Sequence, residues 1–413
     1  MRISPALVSL VLLVVAACAP AAPAAPAPQT LAGDVTLVES APVETTLDHP
    51  DIPDAYQIWP EMIRGASRTL DIAELYVSDA PESRLGPVIK AVEAAADRGV
   101  VVRLLADASF AKVYPETLDR LGARHGITVR RFDVGKTMGG VLHAKYFVVD
   151  GRETYLGSQN FDWRSLSHIQ EMGVRLRDPA ATAGYALVFA MDWDLAGGGA
   201  PAAAPALPPA SGPLSFSELA VGAPVTVTPV FSPRGFLPDP RSWELPRLVA
   251  LLDGAKKSVH LQVLTYQARN RDGSPFPDLD DALRRAAARG VQVRLLFSDW
   301  AKRKASAQAV QALARVPGIA VKFIDVPAWS GGFVPFARVA HAKYLVIDGA
   351  RAWVGTSNWE GDYFTRSRNV GLIVEGEAFA GKLEKVFADG FEGAYAEVVD
   401  PEKTYVPPKV DAK

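Results

Sequence analysis

Two histidines stand in matched surroundings at two places in the 413-residue chain. His143 is followed by Lys145, Asp150, Gly157, Ser158 and Asn160. His341 is followed, at identical spacing, by Lys343, Asp348, Gly355, Thr356 and Asn358. In an extended strand, residues i and i+2 share a face, so each histidine projects together with its lysine. Glycine lets the backbone approach a bound anion, and Ser158, Thr356, Asn160 and Asn358 offer neutral donors to its oxygens. Two such sets facing each other would surround one phosphodiester. One imidazole can attack phosphorus to give a phosphohistidine, while the other protonates the leaving oxygen and then activates water. The lysines and asparagines would stabilise charge on the equatorial oxygens of the transition state. His49, His125, His168 and His260 lie in no repeated motif and read as ordinary paired polar groups. No metal-ligand spacing of histidine or cysteine is visible, so catalysis without metal or cofactor is the expectation.

This doubled pattern resembles the phospholipase D superfamily, and the resemblance runs from about Leu37 to Val399. It implies an α/β fold of two tandem phospholipase D-like domains, each a mixed sheet flanked by helices, with the active site at their interface. It also implies structural hairpin roles for Asp150 and Asp348, and a carboxylate or amide 28 residues after each histidine that orients a site imidazole. Those positions hold Glu171 and Asn369. A carboxylate on an imidazole N–H raises its basicity, whereas an amide only orients it. Pairing each group with the histidine of its own half makes His143 the nucleophile and His341 the acid.

The elements that must carry these residues are also written twice. Gly65-Ala66-Ser67-Arg68 recurs as Gly254-Ala255-Lys256-Lys257, and Arg98-Gly99-Val100 as Arg289-Gly290-Val291. The offset grows from 189 through 191 to 198 at the His-Ala-Lys-Tyr repeat, as loop insertions produce. In each half a helical stretch ending at Gly65 or Gly254 leads into a β-rich run, Leu70 to Val77 or Val259 to Tyr266. An Ala-rich helix follows, Pro87 to Arg98 or Leu279 to Arg289, closed by Gly99 or Gly290. Next come a buried strand and a hairpin turning at Asp150-Gly151 or Asp348-Gly349. Strands alternating with helices argue for helices covering a sheet. Domain boundaries are expected at 35–195 and 214–413, with the Ala/Pro/Gly-rich segment 196–213 as linker.

Residues 1–17 read as an export signal, with Arg2 before an apolar core from Ala6 to Val15. Val15-Ala16-Ala17-Cys18 resembles a bacterial lipobox, so Cys18 would be lipidated and 18–34 would be a tether. That places the protein at the cell envelope, in the periplasm or at the outer membrane. The apolar stretch is short for a membrane span. Cys18 is the chain's one cysteine, which excludes an intramolecular disulfide and a four-thiolate metal site.

Lys+Arg number 44 against Asp+Glu 46, so no overall basic field exists for gripping nucleic acid, although a local cleft is compatible with that balance. The runs around Val141 to Lys145, Gly157 to Leu166 and Gly355 to Thr365 resemble the animal branch of endolysosomal phospholipase D-like five-prime exonucleases. The chain departs from that branch in lacking cysteine bridges and in carrying a lipobox instead of a membrane span. Single-stranded nucleic acid is therefore the expected substrate, with Tyr76, Tyr266, Trp300, Phe333 and Phe336 as candidate base-stacking rings. A phospholipase or phosphatidyltransferase is the alternative, favoured by membrane tethering and disfavoured by the lack of a long amphipathic helix. Both half-sites lie in one chain, so no obligatory protein partner is expected.

Overall fold

The computed structural model describes residues 33–200, 207–209, 212–216 and 223–411. The export signal, Cys18, most of the 18–34 tether and part of the 196–213 linker lie outside them. The described residues all fall in one compact unit. Asp34, assigned to the tether from sequence, already begins a strand, where Arg177 Nε donates to its carboxylate at 2.9 Å.

Each half builds the same mixed sheet. The N-terminal sheet runs Asp34–Ser40, Ile169–Arg177, Glu153–Gly157, Tyr146–Val149, Thr69–Glu74, Val101–Asp107, Ile127–Phe132. The C-terminal sheet repeats it as Ala223–Ser232, Asn369–Glu375, Arg351–Gly355, Tyr344–Ile347, Ser258–Val263, Gln292–Ser298, Ile319–Ile324. In both, the last three of these strands are parallel and the rest antiparallel, and in the second sheet Ala396–Val398 adds an antiparallel edge to Ile319–Ile324. The strands read as continuous apolar runs because both faces are covered. Tyr146 and Val148 face a core shared with the second half, while Phe147 and Val149 face a core belonging to the first half.

Helices Ala55–Arg64 and Gly86–Asp97 cover the outer face of the first sheet. Glu244–Asp253 and Asp278–Ala288 do the same for the second. Helices Pro179–Ala196 and Glu377–Glu392 contribute to the core between the sheets. Gly99 and Gly290 follow the Ala-rich helices at φ +88° and +83°, a conformation glycine adopts without penalty.

The halves interlock rather than merely touch. Leu214–Phe216 pairs with Asp34–Ser40 on one side and Ala223–Ser232 on the other. Val339–Ala340 pairs in parallel with Ile169–Gln170, and Leu142 bridges to Arg368 in the mirrored position. Arg368 and Asp192, both fully buried, form a bidentate ion pair at 2.7 Å between a C-terminal strand approach and an N-terminal helix.

Candidate active site

The two motif strands reach the site through their hairpins. Asp150 and Asp348 turn them in left-handed conformations, φ 53° and 57°. The Asp150 carboxylate accepts N–H bonds from Ser67, Arg68 and Thr69, and Asp348 accepts from Lys256, Lys257 and Ser258. These bonds hold Asp150 down to about 2 against the effect of burial. Each aspartate thus ties its hairpin to the head of a neighbouring strand.

The glycines have a different purpose from the anion approach expected of them. Gly157 pairs with Gly173, and a Cβ on Gly157 would stand 2.7 Å from the Gly173 Cα and 2.9 Å from the Tyr155 hydroxyl. Gly355 pairs with Gly371 beneath the Trp353 ring, 2.5 Å from such a Cβ. An aromatic ring fills the space that each glycine pair leaves. Ser158 and Thr356 are likewise committed to the sheet. Ser158 Oγ exchanges bonds with Met172, and Thr356 Oγ1 bonds Val370 and Asn369. Their hydroxyls brace the site rather than offer free donors.

His143, Lys145, Asn160 and Glu171 meet His341, Lys343, Asn358 and Asn369 at the interface of the halves, with Lys145, Lys343, Glu171 and Asn369 wholly buried. The orienting groups are exchanged relative to the expectation. Glu171 Oε1 lies 2.7 Å from Nδ1 of His341, and Asn369 Oδ1 lies 3.1 Å from Nδ1 of His143. The crossed strands cause this: His341 N–H donates to the Gln170 carbonyl at 2.7 Å, and His143 N–H donates to the Arg368 carbonyl at 2.9 Å. Each histidine therefore lies beside the partner half's orienting residue. Asn369 Nδ2 donates to the Tyr363 carbonyl at 2.7 Å, so its oxygen must face His143 and accept from Nδ1–H. That leaves Nε2 of His143 for substrate.

Lys145 Nζ donates to the His143 carbonyl, and Lys343 Nζ to the His341 carbonyl at 2.5 Å. Asn160 and Asn358 each have a buried side-chain oxygen with no hydrogen-bond partner among the described residues. Burial, then the two lysines, hold both imidazoles well below their ordinary value. Burial brings Lys145 down to about 7 and pushes Glu171 up to about 8. Burial and repulsion by Lys145 take Lys343 well below the lysine range. An arriving phosphodiester anion favours the charged lysines and so restores what burial removed.

Sequence reasoning missed three supporting residues. Ser165 accepts from Asn160 N–H at 3.1 Å and bonds Glu171 at 3.2 Å. Tyr363 sets its ring edge-on to His143 with centroids 4.8 Å apart. Gln170 accepts at its side chain from Gln262 at 2.7 Å, joining the halves beneath His341. The spacing Asn160-x4-Ser165 and Asn358-x4-Tyr363 was the available signal.

The candidate stacking rings do not form one surface. Tyr266 is buried in the second core and donates to Asp280, and its burial removes it from any substrate. Tyr76 packs against Tyr114 and Phe110 and donates to Asp162. Trp300 is half-buried against Ile169, Leu264 and Val339. Phe333 and Phe336 are exposed, at 53% and 41%.

A duplicated α/β protein that assembles one histidine–lysine–asparagine set from each half into a shared, desolvated site defines a class: the phospholipase D-like phosphodiester hydrolases. Comparison with known proteins agrees. A family model described as "Cardiolipin synthase, PLD-like domain" matches residues 60–193 and 248–390. "Phospholipase D Z" of Dictyostelium discoideum is 31% identical over 393 residues, covering 89% of this chain and 91% of that protein. "5'-3' exonuclease PLD3" of Rattus norvegicus is 32% identical over 407 residues, covering 89% and 81%. In fold, the chain is similar to phosphatidylserine synthase of Haemophilus influenzae Rd KW20, with a TM-score of 0.58 at 12% identity over 83% of this chain and 84% of that one. The chain belongs to the phospholipase D superfamily.

Proposed function

We propose that the protein is an envelope-tethered lipoprotein that trims single-stranded nucleic acid, cutting each phosphodiester in two steps through a phosphohistidine without a metal. The observation that carries the mechanism is the Glu171–His341 hydrogen bond at 2.7 Å. A carboxyl group on Nδ1 presents Nε2 to the substrate and holds the positive charge that the ring acquires when it is phosphorylated. The roles are therefore the reverse of those expected from sequence. The bound phosphodiester anion favours the doubly protonated ring of His143. His341 Nε2 attacks phosphorus, the bond to the leaving oxygen breaks, and the His143 imidazolium gives that oxygen its Nε2 proton. Water then gives a proton to His143, its oxygen bonds phosphorus, and the His341–phosphorus bond breaks. Lys145, Lys343, Asn160 and Asn358 hold the equatorial oxygens throughout.

Likeness to an enzyme named as a 5'-3' exonuclease, along 81% of its length, supports nucleic acid as substrate. So does the exposure of Phe333 and Phe336, with Lys409 5.0 Å above the Phe333 ring. A phospholipid substrate is the second reading, favoured by the relative named "Phospholipase D Z". Parallel assays on bis-p-nitrophenyl phosphate, end-labelled single-stranded oligonucleotide and phospholipid vesicles decide between them, with His341→Ala as control. Release of nucleotides without phosphatidic acid supports the first reading. Cleavage of lipid with intact oligonucleotide overturns it. Metabolic labelling with palmitate, lost in Cys18→Ala, tests the anchor.

A further inference from the structure

The two half-sites differ at a further buried position, beside the site lysines. In the first half, the antiparallel register places Ala73 opposite Tyr146, and one step further along stand Glu74 and Lys145. In the second half, Gln262 is opposite Tyr344, and the next pair is Val263 and Lys343. Residues directly opposite across antiparallel strands project from the same face. A carboxyl group thus faces one site lysine and an isopropyl group faces the other. Glu74 is 1% exposed, and its Oε2 accepts the Phe161 N–H at 3.2 Å, one residue beyond Asn160. Its Coulombic neighbours are Lys145, Glu171 and Tyr155. Lys145 in turn feels Glu74, Glu171 and Asp107, and acts on Lys343, His143 and His341.

We propose that Glu74 is a positioning residue for Lys145: it supplies the buried counter-charge that keeps this lysine protonated for phosphate, and so makes the two half-sites electrostatically unequal. The inference rests on the phosphodiesterase mechanism above. Burial raises Glu74 well above the carboxylate range, and burial lowers Lys145 to about 7, with Glu74 the foremost group opposing that fall. The two therefore titrate as a pair. A phosphate anion beside Lys145 draws the pair's proton onto the lysine, leaving the carboxylate as its partner. Lys343 has no such neighbour on its own strand pair, and burial and Lys145 leave it well below the lysine range.

Glu74→Gln tests this, since glutamine keeps the shape and an oxygen for the Phe161 N–H. The readout is kcat/KM on bis-p-nitrophenyl phosphate against pH, with thermal unfolding followed alongside. Loss of the counter-charge should move the alkaline limb to lower pH by about one unit, while the acid-side rate stays at the wild-type value. Glu74→Asp, which retains a carboxyl group, should restore part of the displacement. A loss equal at every pH, or an unmoved limb in both variants, overturns the proposal. Should glutamine unfold the chain, Glu74→Val, which copies Val263 of the second half, removes the same charge, and an unmoved limb in that variant overturns the proposal equally. Wild-type protein inert towards the ester at every pH would remove the mechanism itself, a result distinguishable from an active enzyme with unchanged profiles.

Discussion

Glu171 of the first half aligns His341 of the second, Oε1 to Nδ1 at 2.7 Å, and not the histidine that precedes it in sequence. Asn369 returns the exchange at His143. Neither half therefore holds a complete set of oriented catalytic groups. Two short parallel pairings, Val339–Ala340 on Ile169–Gln170 and Leu142 on Arg368, impose the crossing.

That crossing predicts where phosphate is held. After rapid quench, acid-labile phosphate should be found on the peptide carrying His341. His341→Ala should abolish turnover of every substrate. His143→Ala should cost about 10²–10⁴ in rate with a poor leaving group, and much less in the first step with p-nitrophenolate, which departs without a proton. Phosphate on the His143 peptide would reverse the roles.

Glu171→Gln should lower turnover by about 10- to 100-fold, the range for losing a partner that orients a site histidine. Unfolding curves should show that the loss exceeds any change in stability. Equal turnover in wild type and variant would deny the carboxyl group its role.

Binding of a simple diester anion should weaken as pH rises. Lys145 loses its charge through about 7 and Glu171 gains a negative one through about 8, so both changes oppose the anion. The inhibition constant of dimethyl phosphate, which keeps its own charge across this range, should rise between pH 6 and 9. A flat profile would contradict the assignment.

The Arg368–Asp192 pair predicts the cost of uncoupling the halves. Asp192→Ala leaves a fully buried guanidinium without its carboxylate and should destabilise the protein by about 3–5 kcal/mol. Replacing both residues by apolar ones should recover part of the loss. Chemical denaturation measures each.

Asp150→Asn should cost about 1.5–3 kcal/mol at neutral pH, the range for hydrogen bonds to a charged group. The folded carboxyl group sits at about 2, below its unfolded value of about 3.9. Its contribution is therefore complete above the unfolded value and lost as pH falls through about 2. The gap between wild type and variant should close across that window.

Substituting Phe333 and Phe336 by alanine should raise KM for oligonucleotides by about 10-fold, within the range for loss of one base-stacking ring. Hydrolysis of bis-p-nitrophenyl phosphate should be unchanged. Both side chains are exposed, so folding is not at stake. Equal effects on the two substrates would remove these two rings from nucleic-acid recognition.

Whatever depends on local pattern was legible in the order of residues. The apolar runs around Tyr146 and Tyr344, the Asp-Gly turns and the doubled motif specify strands, hairpins and a duplicated α/β fold, because strand period, turn chemistry and repetition are written in neighbouring residues. The pairing of groups across the interface was not legible. Glu171 lies 28 residues from His143 and 170 from His341, yet it bonds the latter, because the backbone ladder between Gln170 and His341 outweighs chain proximity. Tyr266 reads as an available ring until packing encloses it, and Gly157 reads as an anion cradle until Tyr155 and Gly173 are seen to fill its space. Glu74 becomes meaningful only when the sheet register sets it opposite Lys145. Side-chain chemistry is carried by the chain one residue at a time, but which charges share a desolvated pocket is decided by non-local packing, and only the tertiary structure states it.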